Sequence, residues 1–266
     1  MEKYKNEFLR VEKKYLLNEI QYAAIQSAIS SHMTEERYGE HTISNIYYDT
    51  LDFQLIRASI EKPLYKEKLR LRAYGSVTDN SEVFIEIKKK FKGVVYKRRV
   101  GLPLKDAREF LNSNQRKFGL GQVFSDNIYN LIPKATDSGQ VFSEANWMLK
   151  LYNLIPAAVI SYFRAAYFGN DDPEFRLTID KDLRGRFTEL DLSEGVFGDE
   201  IIGSDKRLME IKTTGGMPLW MCNLLSEYKI YPTTFSKYGE FYKSNFSDIK
   251  NINTIYVDEK EMVKSA

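Results

Sequence analysis

The sequence predicts an α+β fold: an antiparallel sheet that can close into a β-barrel, with helices packed on the outside. Three observations carry that expectation. Strand-length segments with two-residue alternation recur along the chain, several setting an apolar face against a face of Lys, Arg and Glu. Segments of helical period lie between them and can cover the apolar faces. Of 266 residues, 43% are hydrophobic and 29% charged, with 15 Gly and 7 Pro, which excludes disordered and collagen-like chains. One face of an antiparallel sheet commonly meets water, so the charges could simply be solvated. If the strands close, the charged faces point inward instead. Unpaired buried cations cost on the order of several kcal/mol each, so a cationic lumen makes sense only around an anion.

In chain order, residues 8–17 form the first expected strand, with Arg10, Glu12 and Lys14 on one side. A helix follows over 18–31, capped by Asn18, with Ile20, Ala23, Ala24, Ser27 and Ala28 near helical spacing. Residues 42–48 read as a strand, and Asp49-Thr50-Leu51-Asp52 turns into a short helix ending near Ser59. Over 66–73, Leu69, Leu71 and Ala73 oppose a wholly cationic face of Lys66, Lys68, Arg70 and Arg72. Over 81–90, Val83, Ile85 and Ile87 alternate with Glu82, Phe84, Glu86, Lys88 and Lys90. Phe91-Lys92-Gly93 is the turn of a hairpin whose return strand, 94–102, carries Lys97, Arg98 and Arg99. A helical stretch spans 103–153, with weaker helices over 123–131 and 144–152. Strands resume at 157–168, containing Arg164, and at 175–180, where Phe175, Leu177 and Ile179 oppose Arg176, Thr178 and Asp180. A further hairpin arm holds Arg184 and Arg186. The last strand, 206–214, places Lys206, Leu208, Glu210 and Lys212 on one face. Gly215-Gly216, a helix over 218–228, a loop over 230–236 and a short helix over 237–243 follow. No internal repeat or linker is present, so one domain over 1–245 with a polar tail over 246–266 is expected.

Composition also excludes functions. Cys222, the one cysteine, rules out an internal disulfide framework and Cys-rich zinc sites. His32 and His41, the only histidines, leave almost no material for His-based metal centres or Ser-His-Asp triads. A net charge of +2 is too balanced for a bulk nucleic-acid or membrane-surface binder. No run approaches the roughly 18 to 20 apolar residues of a membrane span, and residues 1–10 are charged where a signal peptide turns apolar. A cytoplasmic protein is expected. Asp180-Lys181-Asp182 could suggest a metal-binding pair, but it reads more simply as a strand end and turn. Tyr47 and Tyr48 beside Asp49 read as packing and capping residues. Neither Gly119-Leu120-Gly121 nor Gly215-Gly216 has the Gly-Lys-Ser/Thr completion of a P-loop.

A series of short segments runs in an ordered array: Arg10-Val11-Glu12-Lys13-Lys14-Tyr15, Ile46-Tyr47-Tyr48-Asp49-Thr50, Leu69-Arg70-Leu71-Arg72-Ala73-Tyr74-Gly75 and Glu86-Ile87-Lys88. Lys97-Arg98-Arg99, Ser161-Tyr162-Phe163-Arg164, Arg176-Leu177-Thr178-Ile179-Asp180, Met209-Glu210-Ile211-Lys212 and Phe235-Ser236-Lys237-Tyr238 complete it. The array, from about Arg10 to Tyr242, resembles VTC domains, the polyphosphate polymerase branch of the triphosphate tunnel metalloenzymes. The resemblance implies an antiparallel β-tunnel with helices outside and transfer of the γ-phosphate of ATP onto polyphosphate with Mn²⁺ or Mg²⁺. By motif position it implies Lys14, Arg70, Arg72, Lys88, Lys97, Arg164, Arg176 and Lys237 as phosphate ligands. It implies Glu210 as the metal carboxylate and Ser236 as a hydroxyl contact. Arg10, Arg99 and Lys212 join the phosphate-binding set, and Glu12 and Glu86 are further candidates for metal or for orienting lysines. Which of Lys97, Arg98 and Arg99 faces the phosphate depends on register. The sequence departs from family polymerases at Pro232-Thr233-Thr234, where a further basic residue precedes the Phe-Ser-Lys-Tyr segment. It carries neither the regulatory domain nor the membrane helices of the eukaryotic enzyme and looks like the bare catalytic domain.

These residue types suit the chemistry. Phosphoryl transfer needs charge neutralisation and in-line positioning more than a protein nucleophile. Arg grips two phosphate oxygens whereas Lys is a mobile point charge. Mg²⁺ keeps waters and phosphates beside one or two carboxylates. The expected partners are ATP and polyphosphate or triphosphate, with no nucleic acid. A triphosphatase, with water as the nucleophile, and a polyphosphate-binding module without turnover are the competing readings.

Overall fold

The computed structural model describes residues 11–112 and 137–245. Arg10, the helix expected over 123–131, Gly119-Leu120-Gly121 and the expected tail over 246–266 lie outside them. The elements run β1 (Val11–Leu17), α1 (Glu19–His32), β2 (Met33–Glu35), β3 (His41–Asp49), α2 (Gln54–Ile60), β4 (Tyr65–Tyr74), β5 (Glu82–Phe91), β6 (Val94–Pro103) and α3 (Leu104–Asn112). After these come α4 (Asp137–Tyr152), β7 (Ile155–Gly169), β8 (Arg176–Arg186), β9 (Asp199–Glu200), β10 (Arg207–Thr213), α5 (Leu219–Glu227), β11 (Pro232–Thr233) and α6 (Lys237–Ser244). The chain divides into two compact units.

Unit one comprises Met1–Thr42, Tyr162–Leu183 and Ile202–Phe235. Its antiparallel strands pair in the order β11-β1-β10-β8, and β2 pairs with β7. Alternation sends Tyr15, Leu177, Ile179, Met209 and Ile211 into a core with Ile25 and Ile29 of α1 and Met221 of α5. Asn18 and Gln21 start α1 with reciprocal side-chain-to-backbone bonds of 2.9 and 3.1 Å. The buried stripe of α1 is Ile25 and Ile29, and Ile20, expected on the core side, is exposed. The two large isoleucines set the face because they bury more apolar area than the alanine repeat. Strand β8 does not stop at Asp180 with a separate arm after it. It continues to Arg186, with Asp182 at φ 49° taking up the irregularity.

Unit two comprises Ile43–Ser161, Arg184–Ile201 and Ser236–Ala266. Its strands pair antiparallel in the order β3-β4-β5-β6. Leu69, Leu71, Ile85, Ile87 and Val100 form a core with Leu104 and Phe110 of α3 and Ala145 and Met148 of α4. The β5–β6 turn places Lys92 at φ 46° and Gly93 at φ 90°, the left-handed pair that matches the twist of a tight hairpin. Asp49, at the end of β3, accepts the backbone N–H groups of Thr50, Leu55 and Ile56 at 2.8, 2.8 and 3.0 Å and so caps α2.

The pairings make open antiparallel sheets, not the expected closed barrel: among the described residues, β11 and β6 each end the run of strands. Strand β11 is two residues long and starts at Pro232, which has no N–H to offer a further strand. The short strands β2, β9 and β11 carry too few residues for alternation to announce them. No helix among the described residues is long and apolar enough to cross a membrane.

Candidate functional site

The register of unit two lays its charged residues in rows. Tyr47, Arg70, Glu86 and Arg99 stand opposite one another from β3 to β6. Lys68, Lys88 and Lys97 form the row toward the hairpin turn, and Asn45, Arg72 and Phe84 the row away from it. Alternation thus places these cations on one face. Arg98 falls on the opposite face, 3.2 Å from Glu144, so register selects Lys97 and Arg99.

Glu86 is the centre of that face and is 1% exposed. Its Oε2 accepts from Arg70 Nε at 2.8 Å and Nη2 at 2.6 Å and lies 3.8 Å from Arg72 Nε. Its Oε1 lies 2.9 Å from Lys97 Nζ. Burial pushes the Glu86 carboxyl up, but the charges of Arg70, Arg72 and Lys97 outweigh it and hold the group at about 2. Burial lowers the Lys97 ammonium, and the neighbouring arginines add to that effect against the pull of Glu86. Asn45 fixes Arg72: its Oδ1 accepts from Nε at 2.9 Å while its Nδ2 donates to the Ile160 carbonyl at 3.1 Å. The Tyr47 hydroxyl accepts from Arg70 Nη1 at 3.3 Å, and its ring stacks on Tyr238 with centroids 4.7 Å apart. Burial opposes ionisation of Tyr47, yet Arg70, Lys68 and Arg72 bring it down to about 8. Lys68 donates to Ser236 Oγ at 3.2 Å, and Ser236 accepts from Gly239 N at 3.3 Å, capping the helix that Lys237 begins.

Unit one carries a second charged cluster. Glu210 lies in register between Lys14 and Thr178. Its Oε1 is paired with Lys212, and its Oε2 lies 3.9 Å from Lys14 Nζ. Lys14 also lies 3.7 Å from Glu12 Oε1 and donates to the Phe235 carbonyl at 2.9 Å. Burial pushes Glu210 up, and Lys212, Lys14 and Arg164 more than reverse it, to about 2. Arg164 donates through Nε and Nη2 to the two oxygens of Asp180 at 2.6 and 2.7 Å. Burial disfavours that guanidinium charge, but Tyr162, Asp180 and Glu210 keep its pKa well above the ordinary value. Arg176 is in register with Lys212, and its guanidinium lies 3.9 Å from Glu36.

Of the residues singled out in the sequence, unit two therefore gathers Arg70, Arg72, Glu86, Lys88, Lys97, Arg99 and Ser236, and unit one gathers Glu12, Lys14, Arg164, Glu210 and Lys212. Three contributors are not among those residues. Asp180 is mid-strand and buried, not at a strand end, on the face it shares with Arg176 and Thr178. Lys68 belongs to the alternation of Arg70 and Arg72. Asn45 gave no signal, because its partner Arg72 is 27 residues away.

The donor chemistry separates the two carboxylates. Among the described residues, no three acidic, His or Cys side chains gather to form a metal cage. Hard divalent cations need only one or two carboxylates beside water and phosphate. Glu210 fits such an ion: it is held ionised, it shares Lys14 with Glu12, and the buried Thr178 hydroxyl opposite it has no hydrogen-bond partner. Glu86 fits less well, since two directed Arg70 N–H bonds engage its Oε2, although its Oε1, 2.9 Å from Lys97, has no hydrogen-bond partner among the described residues.

The VTC domain family model matches residues 9–246. No curated protein matches the chain. Among solved structures, the chain is similar to the candidate adenylyl cyclase HpAC1 from Hippeastrum, whose structure revealed a dominant triphosphatase activity. The two are 16% identical with a TM-score of 0.52, over 89% of this chain and 96% of that one. A candidate adenylate cyclase from Bacillus halodurans is also 16% identical, with a TM-score of 0.45 over 85% of this chain and 93% of that one. At such identity, the likeness to HpAC1 is one of fold.

Proposed function

The chain belongs to the VTC domain family, and from that premise we propose that it is a metal-dependent polyphosphate polymerase of the triphosphate tunnel type, using ATP. A terminal oxygen of the polyphosphate chain attacks the γ-phosphorus, the bond to the β,γ-bridging oxygen breaks, and ADP leaves. The observation that carries this reading is the surplus of positive charge at Glu86, where Arg70, Arg72 and Lys97 face one buried carboxylate. Such a face favours a polyanion, and neutralisation is what phosphoryl transfer asks of a protein.

In this reading Arg70, Arg72, Lys88, Lys97 and Arg99 hold phosphate oxygens, as do Lys14, Arg176, Lys212 and Lys237, with Ser236 adding a hydroxyl. Arg164, oriented by Asp180, presents its charge toward Glu210. Mn²⁺ or Mg²⁺ at Glu210, with Glu12 beside it, would neutralise charge on the transferred group when bound. A second reading is hydrolysis, with water replacing the chain end, because HpAC1 shares the fold and is reported as a triphosphatase.

The test is incubation of the purified protein with ATP and Mn²⁺ or Mg²⁺, with and without a short polyphosphate primer, following polymer and free phosphate against time. Long polymer with ADP supports the polymerase. Free phosphate without polymer moves the assignment to a triphosphatase, and neither product, with polyphosphate still bound, leaves a binding module.

A further inference from the structure

We propose that Glu86 is a built-in competitor of the bound phosphate: a fixed anion that assembles Arg70, Arg72 and Lys97 before ligand arrives and limits the affinity they reach afterwards. This inference rests on reading the cationic face of unit two as a polyphosphate site.

The geometry is that of an anion already in place. Arg70 directs its Nε and Nη2 edge, the fork that suits phosphate or carboxylate oxygens, onto one Glu86 oxygen at 2.8 and 2.6 Å. Lys97 holds the other oxygen at 2.9 Å and Arg72 stands 3.8 Å away. Three cations this close repel one another, and the carboxylate relieves that repulsion, so the array is formed without substrate. Glu86 is fixed to the middle of β5 and is 1% exposed, so it cannot swing away as an exposed side chain could. A phosphate must therefore join the carboxylate rather than replace it. One negative charge against three positive ones leaves attraction, but less than the bare array would exert. For a polymer that has to advance, the fixed carboxylate keeps each hold reversible, and Glu86 acts as a positioning residue.

The test is calorimetric binding of tripolyphosphate, without metal, to the full chain at two salt concentrations. The proteins are the wild type, Glu86→Gln, Lys97→Met and the double variant. The double variant loses one charge of each sign, so it keeps the charge balance of the array even where Glu86→Gln alone fails to fold. From Lys97→Met to the double variant, the Kd should fall tenfold or more, and the salt dependence should steepen by about one phosphate contact. A carboxylate that serves only to brace the strands would leave the salt slope unchanged. Equal or weaker binding by a double variant with native circular dichroism overturns the role of Glu86. Absence of binding by every protein, the wild type included, overturns the polyphosphate reading itself.

Discussion

Arg164 and Asp180 meet edge to edge, with Nε and Nη2 of the guanidinium on the two carboxylate oxygens at 2.6 and 2.7 Å and Asp180 shut off from solvent. Breaking a buried pair by removing one partner leaves an uncompensated charge, at a cost of about 3–5 kcal/mol. Asp180→Asn is accordingly expected to lower the unfolding free energy from denaturant titration by that order. A change below about 1 kcal/mol would mean that Arg164 finds its support elsewhere.

Acid should undo both clusters. Glu86 and Glu210 are each held at about 2, below the ordinary carboxylate value of about 4.3. A carboxylate depressed in the folded state contributes stability that is present above its unfolded pKa and lost as pH falls through the folded one. Stability should therefore decline from about pH 5 toward pH 2, each unit of depression being worth about 1.4 kcal/mol. Urea melts at stepped pH read this directly. The decline should be shallower in Glu210→Gln, and identical slopes would remove Glu210 from the account.

Much of this was legible in the sequence, for a physical reason: strand parity is local. Arg70, Arg72 and Glu86 could be assigned to charged faces because each sits among alternating apolar neighbours, whereas Lys97, in the run Lys97-Arg98-Arg99, needed the strand register. What parity cannot give is the partner. That Glu86 is claimed by three cations, or that Asp180 serves Arg164, depends on pairing between strands far apart in the chain. Barrel closure is a question of the same kind: it depends on strands far apart in the chain, and alternation does not encode which of them meet.

Gly185 offers a test of packing independent of the charges. A Cβ there would stand 2.5 Å from the Phe241 ring, which is fully buried. Gly185→Ala must displace that ring, and overpacking of this kind costs about 1–3 kcal/mol. The thermal midpoint should fall accordingly. An unchanged midpoint would show that α6 can shift away from β8.

If Glu210 holds the ion, Glu210→Ala should cut metal-dependent turnover by about 100-fold or more while tripolyphosphate binding without metal persists. Binding should even tighten, because Lys14 and Lys212 lose their shared anion. Turnover near that of the wild type would remove Glu210 from the site.

Replacing both Arg70 and Arg72 with Ala separates binding from folding. Viewed from the sequence, the double substitution should weaken phosphate binding without harming stability, since it relieves like-charge repulsion. The structure reverses the second half. Both arginines neutralise Glu86, which is 1% exposed, and their removal leaves that carboxylate to Lys97 alone. Uncompensated buried charge then outweighs relieved repulsion, so the double variant should lose about 3 kcal/mol as well as tenfold or more in tripolyphosphate affinity. Adding Glu86→Gln to the double variant should restore most of the stability but only part of the affinity, because the competing carboxylate is gone while two of the three cations that bind are gone too. Melting and calorimetry on the same three proteins check both halves. Recovery of wild-type affinity together with stability would mean that the arginines act on the fold and not on the ligand.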